Sequence, residues 1–287
     1  MPFSVTHLRN ISIAFIAITS ASYSFAETAQ EKGYNIMQSM DQLPSIQRSL
    51  TENVFKIYDA QGQVAFTKKA RSASYVENFD EPDNQLSRSL SYFYAPSDDK
   101  GNSALMIEVQ DKDDDQWLYL KGLRKPKRVL GSDKSSSFMG SDFSNGDVSK
   151  PALDEANYTW LSTEKFTFKG KALAVEKVQA SFKDAAKQDD YGYSKTIAWV
   201  HVKSGLVFKA ETYNLQGQLY KEMLLLSFKA VKNRDGKKVY MATGLQMRNL
   251  LTGTKTEMLV GKIQTGAQAK KVKPEIFSLQ YLTRKWW

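Results

Sequence analysis

A chain of 287 residues with no cysteine and two histidines excludes whole classes of chemistry: disulfides, thiolate nucleophiles and cysteine metal sites cannot form. His7 falls in an N-terminal leader, so His201 stands alone, and zinc centres that need two or more histidine ligands are excluded. Forty Lys and Arg against 31 Asp and Glu give a formal charge of +9, which serves solubility or attraction to anionic lipid headgroups.

Residues 1–26 read as a secretory signal. Arg9 precedes the apolar run ISIAFIAI at 11–18, and Ser24-Phe25-Ala26 puts small residues where a signal peptidase reads them. The run is shorter than the ~20 residues that cross a bilayer, so a cleaved leader is expected rather than an anchor. No cysteine follows it to carry a lipid. Cleavage after Ala26 takes Arg9 with it and leaves 261 residues, 27–287, with a charge of +8. These are expected to form one domain in the periplasm, an address that argues against a nucleic-acid partner.

In chain order, 27–43 is expected to be a short helix with Ile36, Met37 and Met40 on one face and Pro44 after it. Strands follow. SALMIEVQ alternates Leu105, Ile107 and Val109 against Glu108 and Gln110; LLLSFKA alternates Leu224, Leu226, Phe228 and Ala230 against Ser227 and Lys229. Period two with one apolar face predicts a sheet buried on one side and wet on the other. Hairpin turns are expected at YDAQGQ (58–63), YNLQGQ (213–218), Asp235-Gly236, Ser204-Gly205 and Thr252-Gly253. DEPDNQLSR (80–88) and FKDAAKQDD (182–190) read as polar loops. The fold class is mainly β (α+β): an antiparallel meander of about ten strands. Such a sheet must curl. The expected result is a strongly curved, unclosed barrel covered by little helix: 27–43, part of 147–156, and the segment around Pro274.

Catalysis and metal binding find no foothold. His201, in AWVHVKSG, is explained as a strand-face residue, since no placed Ser and Asp accompany it. DKDDD (111–115) lacks the glycine turn and terminal Glu of a calcium loop and reads as a solvated hairpin tip. No carboxylate pair stands out. No catalytic residue, metal or cofactor is predicted.

Two features remain. KGLRKPKR (121–128) concentrates five cations, Lys121, Arg124, Lys125, Lys127 and Arg128, beside Trp117 and Tyr119 on a strand. A membrane- or partner-facing rim and plain cross-strand aromatic packing explain this equally well. SSSFMGSDFSNGDV (135–148) sets Phe138, Met139 and Phe143 into a polar loop. Gly140 is where φ should turn positive, and Ser141 and Asp142 should bond the loop's own backbone or cap the segment after it. The loop is either a gate over a hollow or a fixed plug. Met37, Met40, Met106, Met139 and Met223 are candidates to line that hollow, because thioethers repack around varied apolar ligands; core packing is the competing role for each.

Taken together, YFYAPSDDKGNSALMI (92–107), QWLYLKGLRKPKRV (116–129), SSFMGSDFSNGDV (136–148), AWVHVKSGLVFKAETYNLQGQLYK (198–221), LQMRNLLTGTKTEM (245–258) and PEIFSLQYLTR (274–284) resemble the LolA-like outer-membrane lipoprotein-sorting proteins, in the subfamily linked to RND/MMPL-type exporters. The chain departs from that pattern in two places. Lys121-Gly122-Leu123-Arg124-Lys125 replaces the usual Pro-Ala-Leu-Arg-Arg, and Asn145-Gly146 stands where an acidic pair is common. The resemblance implies an unclosed β-barrel with a helical lid around an apolar cavity. It implies a non-enzymatic periplasmic carrier of lipoprotein or lipid acyl chains, monomeric, touching membranes peripherally, with an inner-membrane RND-type exporter as its expected partner. A non-transporting accessory subunit of such an exporter is the alternative.

Overall fold

The computed structural model describes residues 27–81, 84–110 and 112–287; the signal-peptide reading, Asp111 and residues 82–83 lie outside these. The chain opens with helix α1 (Ala29–Asp41). Its start is fixed by a capping box: Thr28 Oγ1 accepts the Glu31 N–H at 3.2 Å, and Glu31 Oε2 accepts the Thr28 N–H at 2.8 Å. Six strands follow: β1 (Arg48–Tyr58), β2 (Val64–Glu77), β3 (Leu86–Ala95), β4 (Ser103–Val109), β5 (Lys112–Tyr119) and β6 (Pro126–Arg128). After an irregular stretch come β7 (Ala156–Phe168) and β8 (Lys171–Phe182), then helix α2 (Ala185–Tyr191). The last strands are β9 (Lys195–His201), β10 (Leu206–Tyr213), β11 (Leu219–Lys232), β12 (Lys238–Asn249) and β13 (Lys255–Thr265).

The thirteen strands of the described residues form one antiparallel sheet, in the order β6-β5-β4-β3-β2-β1-β13-β12-β11-β10-β9-β8-β7. Two meanders are joined where β1 meets β13, from Ser49↔Thr265 to Tyr58↔Lys255. The two edges, β6 and β7, are consecutive in sequence, so residues 129–155 must cross the opening between them. The five turns expected from sequence all join consecutive strands. The sheet curls instead of lying flat, and its register slips at bulges such as Thr51/Asn53, Trp160/Ser162 and Val207/Lys209 supply local bends.

Bulges also correct the expectation for β11. Register slips at Leu225/Ser227 and Ser227/Phe228 break the alternation, and Leu225, not Leu224 or Leu226, is the buried residue. The polar loop expected at 182–190 contains α2, capped by the Asp184 carboxylate on the Ala186 N–H and ended by Gly192 at φ +73°. Within 147–156 only the single 3-10 turn Leu153–Glu155 forms. Asp113, Asp114 and Asp115 are not a solvated tip. They lie on β5, where Asp113 pairs with Lys187 and Asp115 with Arg128.

The first meander is buried on both faces, which replaces the expected wet side. Adjacent residues Ala104 and Leu105 are each 1% exposed and enter different clusters. Leu105, Ala73 and Leu90 face outward, under the C-terminal segment, where Ala269, Val272, Ile276, Phe277 and Leu282 cover them. The inner face carries Phe55, Ala70, Phe93, Ala104 and Leu118. That inner face continues across the sheet through the register partners Ile57, Thr256, Met247, Met223, Ala210, Ala198 and Val178. Helix α1 packs at its far end, with Ile36 on Val178 and Val200. A fourth cluster gathers Phe166, Phe168, Phe208, Phe228 and Tyr240 where β7 to β12 curl.

Candidate functional site

The connection between the two edge strands fills the hollow. Its tip is a four-residue turn, 138–141. The Ser141 N–H donates to the Phe138 carbonyl at 3.0 Å, and the Phe138 N–H to the Phe143 carbonyl at 2.7 Å. Positive φ at both central residues, +53° at Met139 and +73° at Gly140, makes this a type I′ turn. Sequence marked Gly140 alone. Met139 is held left-handed as well, at a cost of about 1–2 kcal/mol for a residue with a Cβ. Two contacts offset that cost: Lys68 Nζ donates to the Met139 carbonyl at 2.7 Å, and the Met139 side chain is buried in the inner cluster.

Phe138, Met139 and Phe143 are 4%, 8% and 4% exposed and pack among Phe55, Phe93, Leu118, Val129 and Met247. The Phe138 and Phe93 rings stand 6.5 Å apart. Met223 and Met258 close on the same cluster.

Polar groups pin the loop around this apolar tip. Thr256 Oγ1 donates to Asp142 Oδ2 at 2.7 Å and accepts the Asp142 N–H at 3.0 Å, while Thr254 Oγ1 donates to Oδ1. Asp147 accepts from the Ser144 N–H at 2.7 Å and from Lys221 Nζ at 2.8 Å. Buried Gln116 donates to the Asn145 carbonyl at 3.2 Å, and Asn145 Nδ2 to the Asp133 carbonyl at 2.8 Å. Bonds to charged groups contribute about 1.5–3 kcal/mol each, so in this conformation the loop is seated as a plug. Ser141 bonds within the loop, to the Phe138 carbonyl at 2.7 Å, whereas Asp142 reaches across to β13.

Between the plug and α1 the inner face stays open as two adjoining clefts that share Asp41, Lys150, Pro151 and Leu153. The outer one, about 560 Å³, is polar: Tyr34, Gln38, Glu108, Asp114 and Asp154 line it. The inner one, about 230 Å³, is lined by Met37, Leu153, Ala156, Tyr158, Phe182 and Tyr193. Lys150 Nζ sits where they meet, 3.2 Å from both Asp41 and Glu108. Burial opposes its charge, but Asp41 and Glu108 more than offset this and hold the ammonium above its ordinary range. Burial pushes the Tyr158 phenol up to about 12 and raises that of Tyr193 too, so both line the cleft as neutral groups.

The residues singled out from sequence separate into four places. Phe138, Met139 and Phe143 share the plug; Gly140, Ser141 and Asp142 form its turn and tie. Met37 lines the inner cleft and Met40 packs with it in the α1 cluster. Met106 faces inward from β4, in register with buried Gln116. Trp117 and Tyr119 point the other way, to the outer face, and pack against the C-terminal segment away from the hollow. The basic residues lie at the β5–β6 turn and edge strand. Lys127 pairs with Asp133 and Arg128 with Asp115, while Lys121, Arg124 and Lys125 are exposed with no acid within 4 Å among the described residues. Sequence reasoning missed Lys68, Gln116, Lys221 and Thr256. Each sits in ordinary strand alternation, with nothing local to show that a loop far away in sequence, for Lys68 seventy-one residues, would bond it.

No curated protein matches the sequence. Among solved structures, a domain described as an outer-membrane lipoprotein-sorting protein from Vibrio parahaemolyticus is 26% identical, with a TM-score of 0.74 over 89% of this chain and 100% of its own. A DUF1329 family protein from Desulfovibrio piger is 24% identical, with a TM-score of 0.74 over 89% and 99%. A LolA superfamily protein from Nitrosomonas europaea, 17% identical with a TM-score of 0.60 over 89% and 100%, shares the fold. None of these three descriptions names an enzyme. The curved sheet is therefore a LolA-like half-barrel, and since a family model described as an uncharacterized protein matches residues 85–284, more than half of the sequence, the chain belongs to that family.

Proposed function

We propose that this protein is a periplasmic carrier that holds the acyl chains of lipoproteins or lipids on the inner face of its half-barrel. One observation carries the reading: the hollow is closed by a loop whose inserted groups are two Phe and a Met, beside an apolar cleft lined by Met37, Tyr158 and Phe182. Each CH₂ withdrawn from water contributes ~0.8 kcal/mol, so an acyl chain can compete for the space these side chains fill. Met139, Met223, Met247 and Met258 are the side chains best suited to repack around it. The Vibrio and Nitrosomonas neighbours support this reading by fold and by the sorting role in the first one's description. Residues 1–26 supply the export signal, and the monomer releases or collects cargo at membranes, with an RND/MMPL-type exporter as one donor or acceptor.

The test is lipid occupancy. Protein purified from envelope extract should carry lipid detectable by mass spectrometry, and the delipidated form should take up a fluorescent acyl probe. Met139→Asp should abolish uptake; a variant that stays folded marks the loop as a gate, and one that unfolds marks it as a fixed plug, since an unpaired carboxylate would then sit among Phe55, Phe93 and Met247. Protein that is lipid-free and refuses the probe sinks the carrier. A second reading then stands: a non-transporting interaction subunit of an exporter, favoured by the density of bonds that pin the plug. A crosslink to such an exporter without bound lipid would support it.

A further inference from the structure

Five turns stand side by side at one end of the sheet, because their strands are neighbours: 214–218, 250–254, 59–63, 96–102 and 120–125. Direct contacts tie the row together. The Leu250 N–H donates to the Tyr220 carbonyl at 2.7 Å, and the Lys121 N–H to Asn102 Oδ1 at 2.9 Å. A Cβ on Gly253 would lie 3.5 Å from that of Ala60. Among the described residues, six of the nine exposed large apolar side chains sit on these turns or at their bases: Leu215, Leu250, Leu251 (63%), Val64, Phe66 (61%) and Leu123. Turns at the opposite end carry none among the described residues. Lone exposed apolar side chains are ordinary; their confinement to one rim is not.

The same rim is cationic. Lys100, Lys121, Arg124 and Lys125 are exposed and have no acid within 4 Å among the described residues. The acids there are mostly committed: Asp59 accepts the Gln61 and Gln63 N–H groups of its own turn, and Asp99 pairs with Lys68, leaving Asp98 exposed.

We infer that this row of hairpin turns is a docking edge for an anionic lipid bilayer. The apolar side chains are strung singly along a curved rim rather than gathered in a groove. Between them stand unpaired cations, the arrangement that partitions into a headgroup layer and is attracted by its charge. The plug's tip lies at this same rim, since Lys68 holds the Met139 carbonyl and Thr254, in the turn 250–254, holds Asp142. Docking would bring that tip to the membrane. The purpose of the edge thus rests on the carrier reading, but vesicle binding does not.

The test is cosedimentation of the 27–287 chain with vesicles of phosphatidylcholine alone or mixed with phosphatidylglycerol. Binding is expected to the mixed vesicles and to weaken with salt. Lys121→Glu, Arg124→Glu and Lys125→Glu combined should weaken it on the order of a hundredfold, from about tenfold or less for each cation lost near the surface. Phe66→Ser with Leu251→Ser should cost at least about tenfold. All five positions are exposed, so thermal melts should be unchanged. Lys237→Glu with Lys238→Glu, at the opposite end, should leave binding intact. An absence of binding to either vesicle, or an equal loss from the opposite-end variant, overturns the edge. The rim variants should still take up the acyl probe in vesicle-free solution. Wild-type protein that binds vesicles but never takes up probe would remove the carrier and leave the docking edge standing.

Discussion

At the scale of single residues, the plug depends on groups whose partners are distant in sequence. Thr256, fully buried, donates to and accepts from Asp142. Thr256→Val keeps the shape and leaves the Asp142 N–H and one carboxylate oxygen unpaired, so urea denaturation should show a loss of about 1–3 kcal/mol. Gly140 was legible because only glycine enters a left-handed turn freely; Met139 was not, because its conformation is imposed by Lys68 and by packing. His201 gives a pH signature. Burial, and then Lys203, lowers its pKa below the ordinary 6.5. The fold therefore prefers the neutral ring, and the unfolded chain takes the proton more readily. Stability from this group is unchanged above that range and declines as pH falls through it. His201→Gln should flatten the decline in a denaturation series; a decline of the same size in the variant would assign it to other groups.

At the scale of elements, α1 is set against the sheet by backbone approach. A Cβ on Gly33 would meet the Trp160 nitrogen at 2.8 Å and the Thr159 nitrogen at 2.9 Å, atoms that cannot swing aside. Gly33→Ala should lift α1 from β7. A thermal melt should show about 1–3 kcal/mol lost, and hydrogen exchange should rise across 29–41. The helix itself was read from the Ile36–Met37–Met40 face and from Pro44 after it, without its Thr28–Glu31 capping box; its docking site was not legible, since strand periodicity says nothing about which strand a helix will cover. Helix α2 escaped notice because its seven residues are too few for a hydrophobic period, although Asp184 and Gly192 mark both ends. In β11 the period-two reading failed for a different reason. A bulge adds a residue without leaving a mark in composition, and every side chain beyond it changes face.

At the scale of the whole molecule, the half-barrel was legible from its turns: regular Gly-containing hairpins impose a meander, and a long meander must curl; the crossing of 129–155 from one edge strand to the other was not. The covering of the outer face was not legible. Residues 266–287 contain only short 3-10 turns, yet they bury Ala73, Leu90 and Leu105. Deleting 266–287 should expose that face, and the truncated protein should bind a hydrophobic dye and aggregate on gel filtration. If it stays monomeric with an unchanged melt, the segment is ornamental. Trp117 and Tyr119 belong to that face, so replacing them should affect stability and not probe uptake.

The sheet's two edge strands succeed one another in the chain, so the plug is also the sole covalent bridge between two meanders whose first and last strands meet at a seam. Cutting between 149 and 152 should therefore yield a complementing pair of fragments. Co-expressed, they should assemble through β1 and β13 and through the hollow that receives the loop. Since residues 135–148 travel with the first fragment, reassembly rate becomes a direct readout of how the plug enters its seat. A pair that never associates would mean that the seam alone cannot hold the halves in register.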